Sequence, residues 1–194
     1  AHRLEALAKR VDELAEAQRR TEETLAALIK RVDNIEVRLV AVEQRLAKVD
    51  GRTLELQYER KAASTFGRIL RRAKVVDLGE FEDRVSPYLS GEELQDLWRI
   101  DLLVQGYLRQ PLKGDEKPEA YLAVEISVLV DREDVERAKR RANILSKAGL
   151  LAIPVAAGED LTERALQMAE NEGVVLVKDG SVRFIEQALQ HLAR

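Results

Sequence analysis

The feature that most constrains this chain is a heptad repeat at its start. Stepping from Leu4 by three and four residues in turn meets Leu7, Val11, Leu14, Gln18, Thr21, Leu25, Leu28, Val32, Ile35, Leu39, Val42, Leu46 and Val49, so twelve of fourteen positions are apolar. A period of 3.5 residues keeps such a stripe on one seam when helices supercoil left-handedly around each other. The alternative is a single long helix folded back on its own domain, but a monomer would leave a continuous apolar seam in water. The expectation is a helix over about residues 3–50, ended by Gly51 and roughly 70 Å long at ~1.5 Å rise per residue.

The charges beside the seam give a chain direction. In a parallel coil each g position faces the e position five residues further along the partner, which pairs Arg31 with Glu36, Arg38 with Glu43 and Arg45 with Asp50. All three pairs are opposite in sign, so a parallel, in-register assembly with further copies of this chain is expected, most simply a dimer. Surface pairs are worth only ~0.2–1 kcal/mol each, so they select orientation more than they stabilise. Gln18 and Thr21 place two polar layers inside the rod and help fix its register.

Composition then excludes several chemistries. There is no Cys, and the two His lie at positions 2 and 191, so thiolate catalysis, disulfides, a histidine triad and multi-histidine metal sites are not expected. No apolar run approaches the ~18 residues of a membrane span and no signal-peptide pattern opens the chain, which makes a cytoplasmic protein the expectation. The chain begins on Ala1 rather than Met, so a longer natural chain is expected. At 194 residues there is room for the rod, residues 1–50, and one α/β domain, residues 51–194.

Residues 52–74 keep a helical pattern without the heptad, and 75–97 read as a short apolar strand or turn followed by helical segments broken by Pro87 and Gly91. Trp98–Gln105 alternates as a strand, 110–119 is a polar loop, and Ala120–Val128 is a second strand. Asp131 caps a helix from about Arg132 to Ala148. Leu150–Ala156 is a buried strand, 160–173 a helix, 174–177 and 182–185 a hairpin around Asp179-Gly180, and a last helix closes the chain. This order implies a mixed sheet flanked by helices.

Two carboxylates interrupt apolar strands, Asp101 in WRIDLLV and Glu125 in YLAVEIS. A buried charge is costly unless it is paired, metal-bound or protonated. Alternation puts Glu125 on the face of Ala123 and Ser127, so neighbouring strands would bring Asp101 and Glu125 together, where they could hold a hard divalent cation. The other outcome is neutralisation by Arg99 or by an arginine of a helix.

Asp101 followed by Glu125-Ile126-Ser127 resembles the signature of the PD-(D/E)XK nuclease superfamily over about residues 52–157. The resemblance implies an αβββαβ restriction-endonuclease-like core behind the coiled coil, and a metal-dependent nuclease acting on nucleic-acid phosphodiesters. By it, Asp101, Glu125 and the carbonyl of Ile126 would bind Mg²⁺ or Mn²⁺, with Glu59 or Glu55 contributing from the preceding helix. Ser127 stands where the family has lysine, so either Lys139 on the next helix substitutes or the domain has lost catalysis and binds DNA or protein, or serves as a structural adaptor. Arg60, Lys61, Arg68, Arg71, Arg72 and Arg140 are the candidate phosphate contacts. Ten residues of each sign lie in residues 1–50, which leaves 22 basic and 25 acidic side chains beyond them, so no overall field draws in nucleic acid. Trp98 and Tyr107 read as core.

Overall fold

The computed structural model describes residues 2–112 and 117–193. Residues 113–116 of the polar loop and the side chain of Leu4, the first heptad position, lie outside the described residues. The chain divides into two units, Ala1–Lys48 and Val49–Arg194.

Helix α1 spans His2–Arg60 without a break, so Gly51 does not end it. A helical glycine costs about 1 kcal/mol relative to alanine, and the turns beyond it have more than that to gain. Leu54 and Tyr58 are buried against the sheet of the second unit together with Phe66, each worth about 1.5–3 kcal/mol in burial. In the first unit the heptad positions from Leu7 to Leu46 that carry large apolar side chains are exposed.

The second unit continues with α2 (Ala62–Thr65), β1 (Leu70–Val75), α3 (Leu78–Val85), α4 (Gly91–Leu97), β2 (Leu102–Leu108), β3 (Glu119–Val130), α5 (Arg132–Lys147), β4 (Ala152–Leu161), α6 (Glu163–Glu172), β5 (Val175–Lys178), β6 (Ser181–Arg183) and α7 (Ile185–Leu192). The six strands form one sheet in sequential order. β1, β2 and β3 are antiparallel, β3, β4 and β5 run parallel, and β5 and β6 close an antiparallel hairpin. The crossover from β3 to β4 is made by α5, as a parallel pair requires.

One face of the sheet packs Leu102, Val104, Leu122, Val124, Ile126, Ile153 and Val155 against the end of α1 and α7. The opposite face packs Leu103, Tyr121, Ala123 and Ala152 against α3, α4 and α5. β3 is covered on both sides, which is why it reads as a near-continuous apolar run.

Three local expectations are corrected. The basic stretch after residue 68 is not helical: LRRAKV is the edge strand β1, with Leu70 buried and the residues after it largely at the surface. β2 begins at Leu102, not Trp98; Trp98 ends α4, and Trp98 and Ile100 pack with Leu103 rather than with Leu102 and Val104. Tyr107 is 41% exposed, so it is not core.

Candidate functional site

The site is built where β2 starts beside the middle of β3. Leu102 pairs with Val124, so Asp101, one residue earlier, comes level with Glu125 and Ile126. Asp101 Oδ2 accepts a hydrogen bond of 2.7 Å from the backbone N–H of Ile126. Burial raises the Asp101 pKa above the ordinary aspartate value, and that hydrogen bond with the charges of Arg141 and Arg137 lowers it part of the way back.

Glu125 is 1% exposed, and both of its carboxylate oxygens are taken. Arg137 Nε donates to Oε2 at 3.1 Å and Arg141 Nη1 donates to Oε1. These arginines lie four residues apart on α5 and so share a face. Burial first, and then the negative charge of Asp101, push Glu125 upward in pKa, against the pull of Arg141 and Arg137.

The ion pairs extend outward from there. Arg137 also pairs with Asp134, whose side chain accepts from the Asp131 N–H in the capping box that starts α5. Arg141 is itself only 4% exposed and its Nε, 3.6 Å from Asp96, has no hydrogen-bond partner among the described residues. Asp96 on α4 is gripped by Arg140 at 2.6 and 3.2 Å, which holds its carboxyl below the ordinary range. Two carboxylates and two buried or half-buried guanidinia therefore balance at the centre of the domain, which is how buried charges are tolerated.

Asp101 also opens on a cleft of about 460 Å³ lined by Arg52, Glu55 and Glu59 of α1 and by Val75, Val76 and Leu78. Glu55 is raised in pKa by burial and by Asp101. The two glutamates expected from the preceding helix thus face the Asp101 side of the pair.

Other candidate residues are placed elsewhere. Lys139 points away from Glu125, two residues round the helix from Arg137, and pairs with Glu172 of α6. The Ser127 hydroxyl donates to the Leu129 carbonyl at 3.0 Å. Ile126, whose carbonyl was the expected third ligand, does lie at the site, held there by its N–H on Asp101. Arg140 is committed to Asp96 rather than free for phosphate. Lys61 lines a separate polar cleft with Tyr58, Glu159 and Asp179, while Arg60 and Arg68 are exposed. Arg71 and Arg72 do come together, with Arg109.

A divalent cation does not fit this donor set. Both Glu125 oxygens face guanidinia, one Asp101 oxygen faces an N–H, and no group of three or more His, Asp or Glu among the described residues could hold a metal ion. Like charges at 4 Å repel by about 4 kcal/mol per unit pair at an effective dielectric constant near 20, doubled for a dication facing each arginine. Arg137 and Arg141 are the residues the strand motif alone does not reveal. Their signal is the 134, 137, 141 spacing on one face of a helix that follows directly after the strand carrying Glu125.

No family model matches the chain, and no curated protein and no solved structure does either. Among the described residues no helix is long and apolar enough to cross a membrane.

Proposed function

We propose that residues 51–194 form a nuclease-like module that has given up metal-dependent cleavage and serves as a binding module, multiplied by a parallel coiled coil of the N-terminal helix. The observation that carries this reading is the pair of arginines on Glu125. A guanidinium stays charged at any ordinary pH and donates only, so it neither takes a proton from water nor leaves lone pairs for a metal. Arg137 and Arg141 supply the positive charge that a dication would otherwise bring, and they do so with directed hydrogen bonds that fix the carboxylate in place. Neither Ser127 nor Lys139 offers a cation in the position of the family lysine.

The coiled-coil part of the reading rests on the exposed heptad residues and on the charges beside them. Among the described residues none of Arg31, Glu36, Arg38, Glu43, Arg45 or Asp50 forms an ion pair within the chain, which leaves all six for a partner helix.

The test is Mn²⁺ titration calorimetry with plasmid nicking, run on the full chain, the Asp101→Ala/Glu125→Ala variant and Ser127→Lys. The expected result is no nicking by any of them and no Mn²⁺ binding that depends on the two carboxylates. Ser127→Lys stays inactive because restoring one lysine leaves both arginines on Glu125. Mn²⁺-dependent nicking by the unaltered chain, lost in the double variant, would overturn the reading and restore the nuclease.

A further inference from the structure

At the far edge of the sheet three arginines and a tyrosine converge. Arg71 and Arg72 of β1, Tyr107 of β2 and Arg109 just beyond it line a cleft of about 330 Å³. Arg71 pairs in register with Tyr107, and Arg109, two residues further on, falls on the same face.

Arg72 reaches this cleft because the strand is irregular. Consecutive strand residues point to opposite faces, so a regular β1 would separate Arg71 from Arg72. The ladder slips between Arg71 and Lys74, and Arg72 sits there in the left-handed region at φ 56°. A bulge re-aims side chains in this way. The bulged backbone presses on Gly106, where an added Cβ would lie 2.8 Å from the Arg71 carbonyl oxygen.

Among the described residues the cleft is lined by cations and by no carboxylate. None of the three guanidinia forms an ion pair among the described residues. Arg109 Nε donates to the Gly67 carbonyl, which orients its plane. The nearest strand carboxylate, Glu119, is taken by Gln105 at 2.6 Å and by Arg84 at 3.6 Å. Guanidinium forks match the oxygens of phosphate in number and spacing, and an exposed tyrosine ring beside them gives a planar base a face to stack on.

We propose that this cleft binds a nucleoside phosphate, with Arg71, Arg72 and Arg109 on the phosphate and Tyr107 against the base. The ligand is either a free nucleotide or the 5′-phosphorylated end of a strand, which share this chemistry. The site uses neither Asp101 nor Glu125, so it stands or falls separately from the inactive-nuclease reading.

The experiment titrates the full chain with ADP, with pyrophosphate, and with an oligothymidylate carrying or lacking a 5′-phosphate. Three variants go beside it: Arg71→Gln/Arg109→Gln, Arg72→Gly, whose backbone suits the left-handed position, and Tyr107→Leu. ADP should bind more tightly than pyrophosphate. The double variant should weaken both at least about tenfold, as loss of two charge-assisted hydrogen bonds implies, and Arg72→Gly should weaken both as well. Tyr107→Leu should weaken ADP about fivefold or more and spare pyrophosphate. Tighter binding of the phosphorylated oligothymidylate than of ADP assigns the strand end; the reverse assigns the free nucleotide. Binding of no probe by the unaltered chain, equal binding by it and a double variant with unchanged melting, or a Tyr107→Leu variant that binds ADP as the parent does would each overturn the site.

Discussion

A buried carboxylate with a raised pKa weakens a fold as pH rises, and Asp101 and Glu125 are two such groups in one place. Each holds its proton in the folded chain at a pH where the unfolded chain has already released it. The folded state then binds more protons, so the contribution of these groups to stability falls with increasing pH, upward from the ordinary carboxylate range near about pH 4. Asp96, held low by Arg140, works in the opposite sense and over a lower window, its contribution being lost as pH falls through its depressed pKa. Asp101→Asn keeps an oxygen to accept from the Ile126 N–H, deletes one of the two titrations and removes the charge that pushes Glu125 up. Urea unfolding of this variant beside the parent, from about pH 4.5 to about pH 7.5, should show the variant gaining relative stability as pH rises above the ordinary carboxylate range, and the gain levelling off once the parent's two acids have ionised in the folded chain. A constant or shrinking difference would mean that the arginines already hold both carboxylates ionised across the range. The acids themselves were legible in the sequence, because a lone carboxylate in an apolar strand demands a partner. Which partner it takes was not, since a cation and a guanidinium answer the same electrostatic need and the choice rests on how α5 is turned over β3.

Helices and strands show the same division between local rule and tertiary decision. Asp131 starts α5 as its capping box prescribes, and the alternation around Glu125 matches the two packed faces. Gly51 and β1 obey tertiary demands instead: α1 runs on because its next turns have a sheet to cover, and a basic hexapeptide becomes a strand because an edge needs only one face buried. Two glycines make this testable with opposite signs. At Gly51, inside α1, an added Cβ meets nothing within 4 Å, so Gly51→Ala should stabilise the chain by about 0.5–1 kcal/mol through helix propensity. At Gly158, where β4 pairs with Ser127 of β3, an added Cβ runs into the Ser127 carbonyl oxygen and comes within 2.7 Å of Val130 Cγ2. Gly158→Ala should therefore destabilise by about 1–3 kcal/mol, the usual cost of overpacking. Thermal melts of the two variants against the parent decide it, and a neutral Gly158→Ala would mean that β3 and β4 can part without cost.

For the whole molecule the question is what the exposed seam does. Leu25, Leu28, Val32, Ile35, Leu39, Val42 and Leu46 are each about half exposed or more in the single chain, a continuous apolar stripe of the kind that marks an interaction surface. Helices of this length gain most of their stability from packing rather than propensity, so the rod should depend on its partner while the second unit, with its own two-sided core, should not. Leu28→Asp/Ile35→Asp in the full chain puts charges at two successive d positions in the middle of the seam. Sedimentation equilibrium should show the mass falling from an oligomer to the 21.9 kDa chain, and helical circular dichroism should drop by the share of residues 1–48. The unfolding transition of residues 49–194, followed by the fluorescence of Trp98, the one tryptophan, should stay where it was. If the transition moved down with the mass, the α/β unit would itself be part of the interface. A double variant that kept its mass would show that association does not run through the heptads.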